Sequence, residues 1–134
     1  MIVPRYYEDL HVLHDKTMPD RAYYIPAEKR MDCLVQNREK SGRIQMLNGS
    51  WQFRYYESLY DLTEHFYRTD YDAESFFLVP VPGVWQQYGC DSHQYTNFRY
   101  PFPVDPPYVP QDNPCGAYIR RFDYRKDSAA PKLF

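Results

Sequence analysis

Hydrophobic and polar positions change rhythm several times along this chain. Residues 1–42 carry their apolar side chains in short clusters, Leu10, Val12 and Leu13, then Tyr23, Tyr24 and Ile25, separated by polar and proline positions. With no sustained period, that segment is expected to form an extended arm lying across other surfaces. From Leu47 the rhythm becomes two. After an Asn48–Gly49 turn signal, Trp51, Phe53 and Tyr55 alternate with Gln52, Arg54 and Tyr56, so three rings share one face of a strand and Trp51 reads as a core anchor. Between Leu59 and Tyr67 the spacing becomes helical. Leu59, Leu62 and Phe66 fall on one stripe, Ser58 is placed to cap it with Asp61 at the third position, and the acidic side faces water. His65 lies off the stripe and reads as solvated.

Beyond an acidic link at 70–74, Phe76 to Val79 is apolar without alternation, the pattern of a strand buried on both faces, and Pro80, Pro82 and Gly83 should break it. A polar loop, Gln86 to Gln94, leads into QYTNFRYPFPVDPPYVPQDNPCGAY, residues 94–118. Alternation returns in GAYIRRFDYR, with Tyr118 and Arg120 on one face and Ile119, Arg121 and Asp123 on the other. KDSAAP then reads as a turn, and residues 132–134 as the first step of a further strand.

Residues 94–118 combine an amide side chain, Asn97, with a ladder of aromatics (Tyr95, Phe98, Tyr100, Phe102, Tyr108 and Tyr118) and six prolines between Pro101 and Pro114. Each proline fixes its own φ and biases the preceding residue toward extended geometry, which excludes helix and stiffens the loop. Such a loop suits a sugar, whose C–H surface packs on ring faces while an amide holds neighbouring hydroxyls. The plainer reading is that the aromatics are core and the prolines only keep sheet edges from pairing.

Composition narrows the class. Fifteen Tyr, eight Phe and two Trp make the chain 19% aromatic, against five Gly and with twelve Pro, which points to an all-β domain with broad ring packing. A length of 134 residues allows one domain at most. Sixteen basic against eighteen acidic residues, with no basic run beyond Lys29–Arg30 or Arg120–Arg121, argue against a nucleic-acid partner. No apolar run approaches the roughly 20 residues of a membrane span, and the N-terminus lacks a secretory layout, so a cytoplasmic location is expected. Cys33, Cys90 and Cys115, odd in number and widely spaced, suit reduced thiols, with a Cys90–Cys115 bridge left open.

Catalytic chemistry is not legible. Glu57, Asp61 and Glu64 belong to the helix cap and its wet face, Asp70, Asp72 and Glu74 to the link, and Asp105 and Asp112 sit among prolines, so no pair of carboxylates is marked as a glycosidase acid and nucleophile. The serines lack a G-x-S-x-G setting, the glycines are dispersed, and His11 and His14 have no third ligand at usable spacing. No catalytic residue and no metal site is assigned to the chain.

The motifs LNGSWQFRYY (47–56) and VPGVWQQYGCDSHQYTNFRYPFPVDPPYVPQDNPCGAY (81–118) do resemble a known family. In order they match L-N-G-x-W-x-F, V-P-x-x-W-Q, Y-T-N-x-x-Y-P, P-P-x-V-P and N-P-x-G-x-Y, the pattern of the N-terminal sugar-binding domain of large β-galactosidases in glycoside hydrolase family 2. The likeness is dense from Leu47 to Phe122 and thinner upstream, where RAYYIP (21–26) looks like the family's N-terminal extension.

The resemblance implies a jelly-roll β-sandwich, with residues 43–134 as its N-terminal part, incomplete at the C-terminus. In a full enzyme two immunoglobulin-like domains, a TIM barrel and a last β-sandwich would follow. It implies retaining hydrolysis of terminal β-galactosides such as lactose by two glutamates of the barrel, outside this chain, with magnesium and sodium bound by the full-length enzyme and a homo-oligomeric state supported by the arm. The loop bearing Y-T-N would reach the barrel's active-site mouth, making Asn97 a sugar contact and Phe98 part of the wall, where the family often has a small aliphatic residue. Two other classes stay open: a free-standing lectin-like module, and a proline-rich ligand built on Pro103–Pro106 and Pro107–Pro110.

Overall fold

A computed structural model describes residues 2–97, 100–130 and 132–133. The chain is all-β in character. Among the described residues the strands are β1 (Gly49–Tyr56), β2 (Phe77–Val81) and β3 (Cys115–Ile119), and the helical elements are single 3-10 turns. The strands form one antiparallel sheet in the order β2-β1-β3, consistent with a sugar-binding β-sandwich. Two compact units are present, one made of Met1–Thr17 with Gly49–Arg120 and the other of Met18–Asn48 with Arg121–Phe134.

The period of two in LNGSWQFRYY produces what it predicts. Phe53 stands opposite Phe77 on one side and Tyr118 on the other, with ring centroids at 5.3 and 4.6 Å. Trp85 reaches the same face, 6.3 Å from Phe53 and 6.0 Å from Tyr55. Trp51 joins through Tyr118 at 6.5 Å but stays half-buried, so the anchor of this face is Phe53, which is 0% exposed. Gly116 makes room for it: a Cβ there would lie 2.5 Å from the Phe53 ring. The opposite face carries Tyr56 and Ala117, buried with Leu62, Ala73 and Phe76, and Ile2 and Val3 pack against this cluster. Part of the expected arm therefore lies on the sheet's own core, fixed by a hydrogen bond from the Ile2 amide to the Leu62 carbonyl at 3.1 Å.

Several expectations are corrected. The helix expected over 59–67 is one 3-10 turn, Leu59–Asp61, although the Ser58–Asp61 capping box forms. A single turn fixes many dihedrals for little hydrogen bonding, and here it loses to tertiary contacts. Glu64, expected in water, instead accepts a hydrogen bond from the Tyr56 hydroxyl at 2.6 Å and pairs with Arg54 at 3.2 Å. The chain beyond Glu64 runs through short turns instead of helix, while Leu59, Leu62 and Phe66 still reach the core. The strand expected to be buried on both faces is not: β2 is an edge strand, and Leu78 is 68% exposed while Val79 is buried. Pro80 does not end β2 but pairs with Ser50, at an edge position where proline is tolerated.

In the second unit, Ser41 is buried, with its hydroxyl donating to the Pro26 carbonyl at 2.6 Å. Arg43 joins Glu28, at 3.9 Å, and Asp127, and the Gln45 amide donates to the Asp123 carbonyl at 3.0 Å. The KDSAAP turn is present as a bridge between Asp127 and Ala130.

Candidate functional site

The proline-rich loop is held at its base on both sides. On the incoming side, Trp85–Tyr88 forms a 3-10 turn ended by Gly89 at φ 81, a left-handed conformation that favours glycine. The Tyr88 hydroxyl donates to the Pro80 carbonyl at 3.1 Å, and Gln86 reaches Asp91 at 3.3 Å. On the returning side, the Val109 amide donates to Glu8 at 3.4 Å, the Ser58 hydroxyl donates to the Gln111 carbonyl, and the Leu59 amide donates to the Asn113 carbonyl at 2.9 Å. Between these anchors Asp105 and Tyr108 close a small bridge. Prolines stiffen what remains.

The aromatics of the tip are not core. Tyr95 is 69% exposed, Tyr100 77% and Phe102 51%. With Pro101, Pro103 and Val104 they border an open cavity of about 570 Å³, a size within the range of small-ligand sites. The plainer reading holds for Tyr118, which packs against Phe53 on the sheet face, and not for Tyr95, Tyr100 and Phe102 in this chain. Asn97 is exposed beside them, and its Nδ2 donates to the Tyr95 hydroxyl at 3.2 Å. Phe98, the other expected sugar contact, lies outside the described residues. Tyr95 is one ring of the aromatic ladder but was not named as a sugar contact; its i, i+2 spacing from Asn97 in Y-T-N is the signal that could have paired the two.

Acid and thiol chemistry is spread out. Asp61 caps its turn, Glu64 is engaged by Arg54 and Tyr56, and Asp70 is paired with Arg68 at 2.9 Å. Its hydrogen bond from Arg68 holds the Asp70 carboxyl below the ordinary range, the wrong direction for a general acid. Burial, then the hydrogen bond to Glu64, pushes the Tyr56 phenol well up. The three cysteines are free, and burial raises the thiols of Cys90 and Cys115. Among the described residues no three His, Cys, Asp or Glu side chains gather as a metal site, and no helix is long and apolar enough to cross a membrane.

Comparison with known proteins places this geometry in context. The family described as "Glycosyl hydrolases family 2, sugar binding domain" matches residues 44–132. A β-galactosidase of Actinobacillus pleuropneumoniae is 42% identical over 120 residues, which cover 90% of this chain and 12% of that enzyme. One from Staphylococcus xylosus is 40% identical over 123 residues, 91% of this chain and 12% of that enzyme. One from Leuconostoc mesenteroides is 47% identical over 85 residues, 63% of this chain and 8% of that enzyme. The chain thus spans about an eighth of the length of the first two relatives.

Proposed function

The chain belongs to the sugar-binding domain family of the family 2 glycosyl hydrolases, and from that premise we propose that it is the N-terminal portion of a β-galactosidase. The enzyme would hydrolyse terminal non-reducing β-D-galactosides such as lactose with retention of configuration. The observation that carries this reading is the family match itself, which spans 44–132 and so takes in the loop bearing Asn97 and Phe98. The retaining reaction needs two carboxyls about 5–5.5 Å apart. In this reading two glutamates of a barrel domain supply them, and this chain supplies a loop at the mouth of that site.

Asn97 is the residue assigned to the sugar, with Phe98 beside it. An exposed amide on an anchored, proline-stiffened loop offers one carbonyl acceptor and N–H donors to neighbouring hydroxyls. A neutral hydrogen bond of this kind contributes about 0.5–1.5 kcal/mol, enough for roughly a two- to tenfold effect on binding. Its role is holding the substrate, with bond cleavage performed elsewhere. In this reading magnesium and sodium belong to the full-length enzyme. The partners in this reading are the barrel domain and further copies of the enzyme, and the free thiols fit a cytoplasmic setting.

The purified chain by itself should give no hydrolysis of a chromogenic β-galactoside; clear turnover would overturn the reading. The open cavity bordered by Tyr95, Tyr100 and Phe102 favours one alternative, a free-standing carbohydrate-binding module. Calorimetry with galactose separates the two. No heat is expected from the isolated chain, since one amide and one ring make only part of a site, whereas a measurable affinity abolished by Asn97→Ala would establish the module.

A further inference from the structure

We infer that Tyr95 is a positioning residue for the sugar-binding amide: its hydroxyl accepts from Asn97 Nδ2 at 3.2 Å and so holds that side chain in one arrangement toward the substrate. This rests on the assignment of Asn97 to the sugar made above. A terminal amide torsion is broad and close to two-fold, so an unheld asparagine presents its oxygen and its nitrogen about equally well. The hydrogen bond from Nδ2 to the Tyr95 hydroxyl holds the side chain in the one arrangement seen. Oδ1 is left to accept from one hydroxyl, and the second N–H of Nδ2 remains to donate to a neighbour.

The phenol is well suited to the task. Tyr95 has a rigid ring with two side-chain torsions, and that ring borders the same cavity as Tyr100 and Phe102, within a stretch stiffened by Pro101 and Pro103. Tyr95 and Asn97 sit two residues apart at the turn of the loop, so no distant rearrangement is needed to keep them in register. One side chain thereby ties the aromatic wall to the polar contact. Removing the hydroxyl alone leaves the wall intact and frees the amide, which sets the contact with the sugar apart from the packing of the loop.

The test is a double-mutant cycle in the full-length enzyme that carries this segment, with wild type, Tyr95→Phe, Asn97→Ala and the combined variant. Asn97→Ala is expected to raise KM two- to tenfold. Tyr95→Phe should raise KM about two- to fivefold with kcat within a factor of two and an unchanged thermal midpoint. The combined variant should match Asn97→Ala alone, because a freed amide no longer matters once the amide is gone. A merely structural role for Tyr95 would lower stability or kcat and would persist in the Asn97→Ala background. If Asn97→Ala raises KM while Tyr95→Phe behaves as wild type, or if the two effects multiply, the positioning role is wrong and the sugar contact stands. If Asn97→Ala leaves KM unchanged, the sugar contact itself is wrong and the positioning role falls with it.

Discussion

Strand β1 and the loop from Gln94 to Val109 are built from the same residue types and use them in opposite ways. In β1 the rings alternate with polar side chains, so a pleated backbone delivers Phe53 to one covered face and Tyr56 to the other. In the loop Tyr100 and Phe102 alternate with Pro101 and Pro103, which lack the backbone N–H of a ladder donor, and Tyr95, Tyr100 and Phe102 are largely exposed. Aromatic content alone therefore does not distinguish core from site. What distinguishes them is whether the backbone between the rings can pair.

Four changes would break or sharpen this contrast. The largest effect is expected at Phe53, buried under Phe77, Trp85 and Tyr118. Phe53→Ala should cost about 3–5 kcal/mol in denaturant unfolding, and a cost below 1 kcal/mol would show that the sheet face is not the core. Next comes Gly116, whose missing Cβ leaves the space the Phe53 ring fills. Gly116→Ala should cost roughly 1–3 kcal/mol by overpacking, and Phe53→Leu should relieve part of it; equal cost in both backgrounds would place the strain elsewhere.

A pH titration of unfolding reads the strands from another side. Tyr55, Tyr56 and Tyr118 all have phenols raised by burial first, with Glu64 adding to Tyr56. A phenol whose folded pKa is raised holds its full contribution below the ordinary value of about 10 and loses it as pH climbs toward the folded value. Stability should therefore fall above about pH 10, and Tyr56→Phe should flatten that fall; an alkaline limb unaltered by the substitution would remove Tyr56 from the cause. The smallest effect is expected in the loop. Tyr100→Ser or Phe102→Ser should change stability by no more than about 0.5 kcal/mol, and a core-sized loss would mean that these rings are buried after all.

Much of the sheet was legible in the sequence because period-two patterning and β-structure share one geometric cause. LNGSWQFRYY marked β1 to within two residues, whereas the alternation of GAYIRRFDYR marked a strand running to Arg125 and β3 ends at Ile119. The capping box at Ser58 and Asp61 was equally legible, since it needs only local spacing. The helix it was meant to begin was not, because the contacts of Glu64 with Arg54 and Tyr56 are tertiary and no local pattern announces them. The unalternating FFLV segment looked doubly buried for want of knowing that β2 is an edge. At the candidate site, Asn97 stood out as an amide within an aromatic, proline-rich loop and through the Y-T-N motif, and the hydrogen bond from its amide to Tyr95 required coordinates.

Steady-state kinetics of Asn97→Ala in the full-length enzyme is the most direct test of the idea that this chain holds, rather than cleaves, the sugar. Loss of a ground-state contact raises KM and leaves kcat nearly unchanged when the contact is equally strong in the transition state. A KM increase of roughly two- to tenfold with kcat within a factor of two is expected. An unchanged KM, or a collapse of kcat by several orders of magnitude, would contradict it.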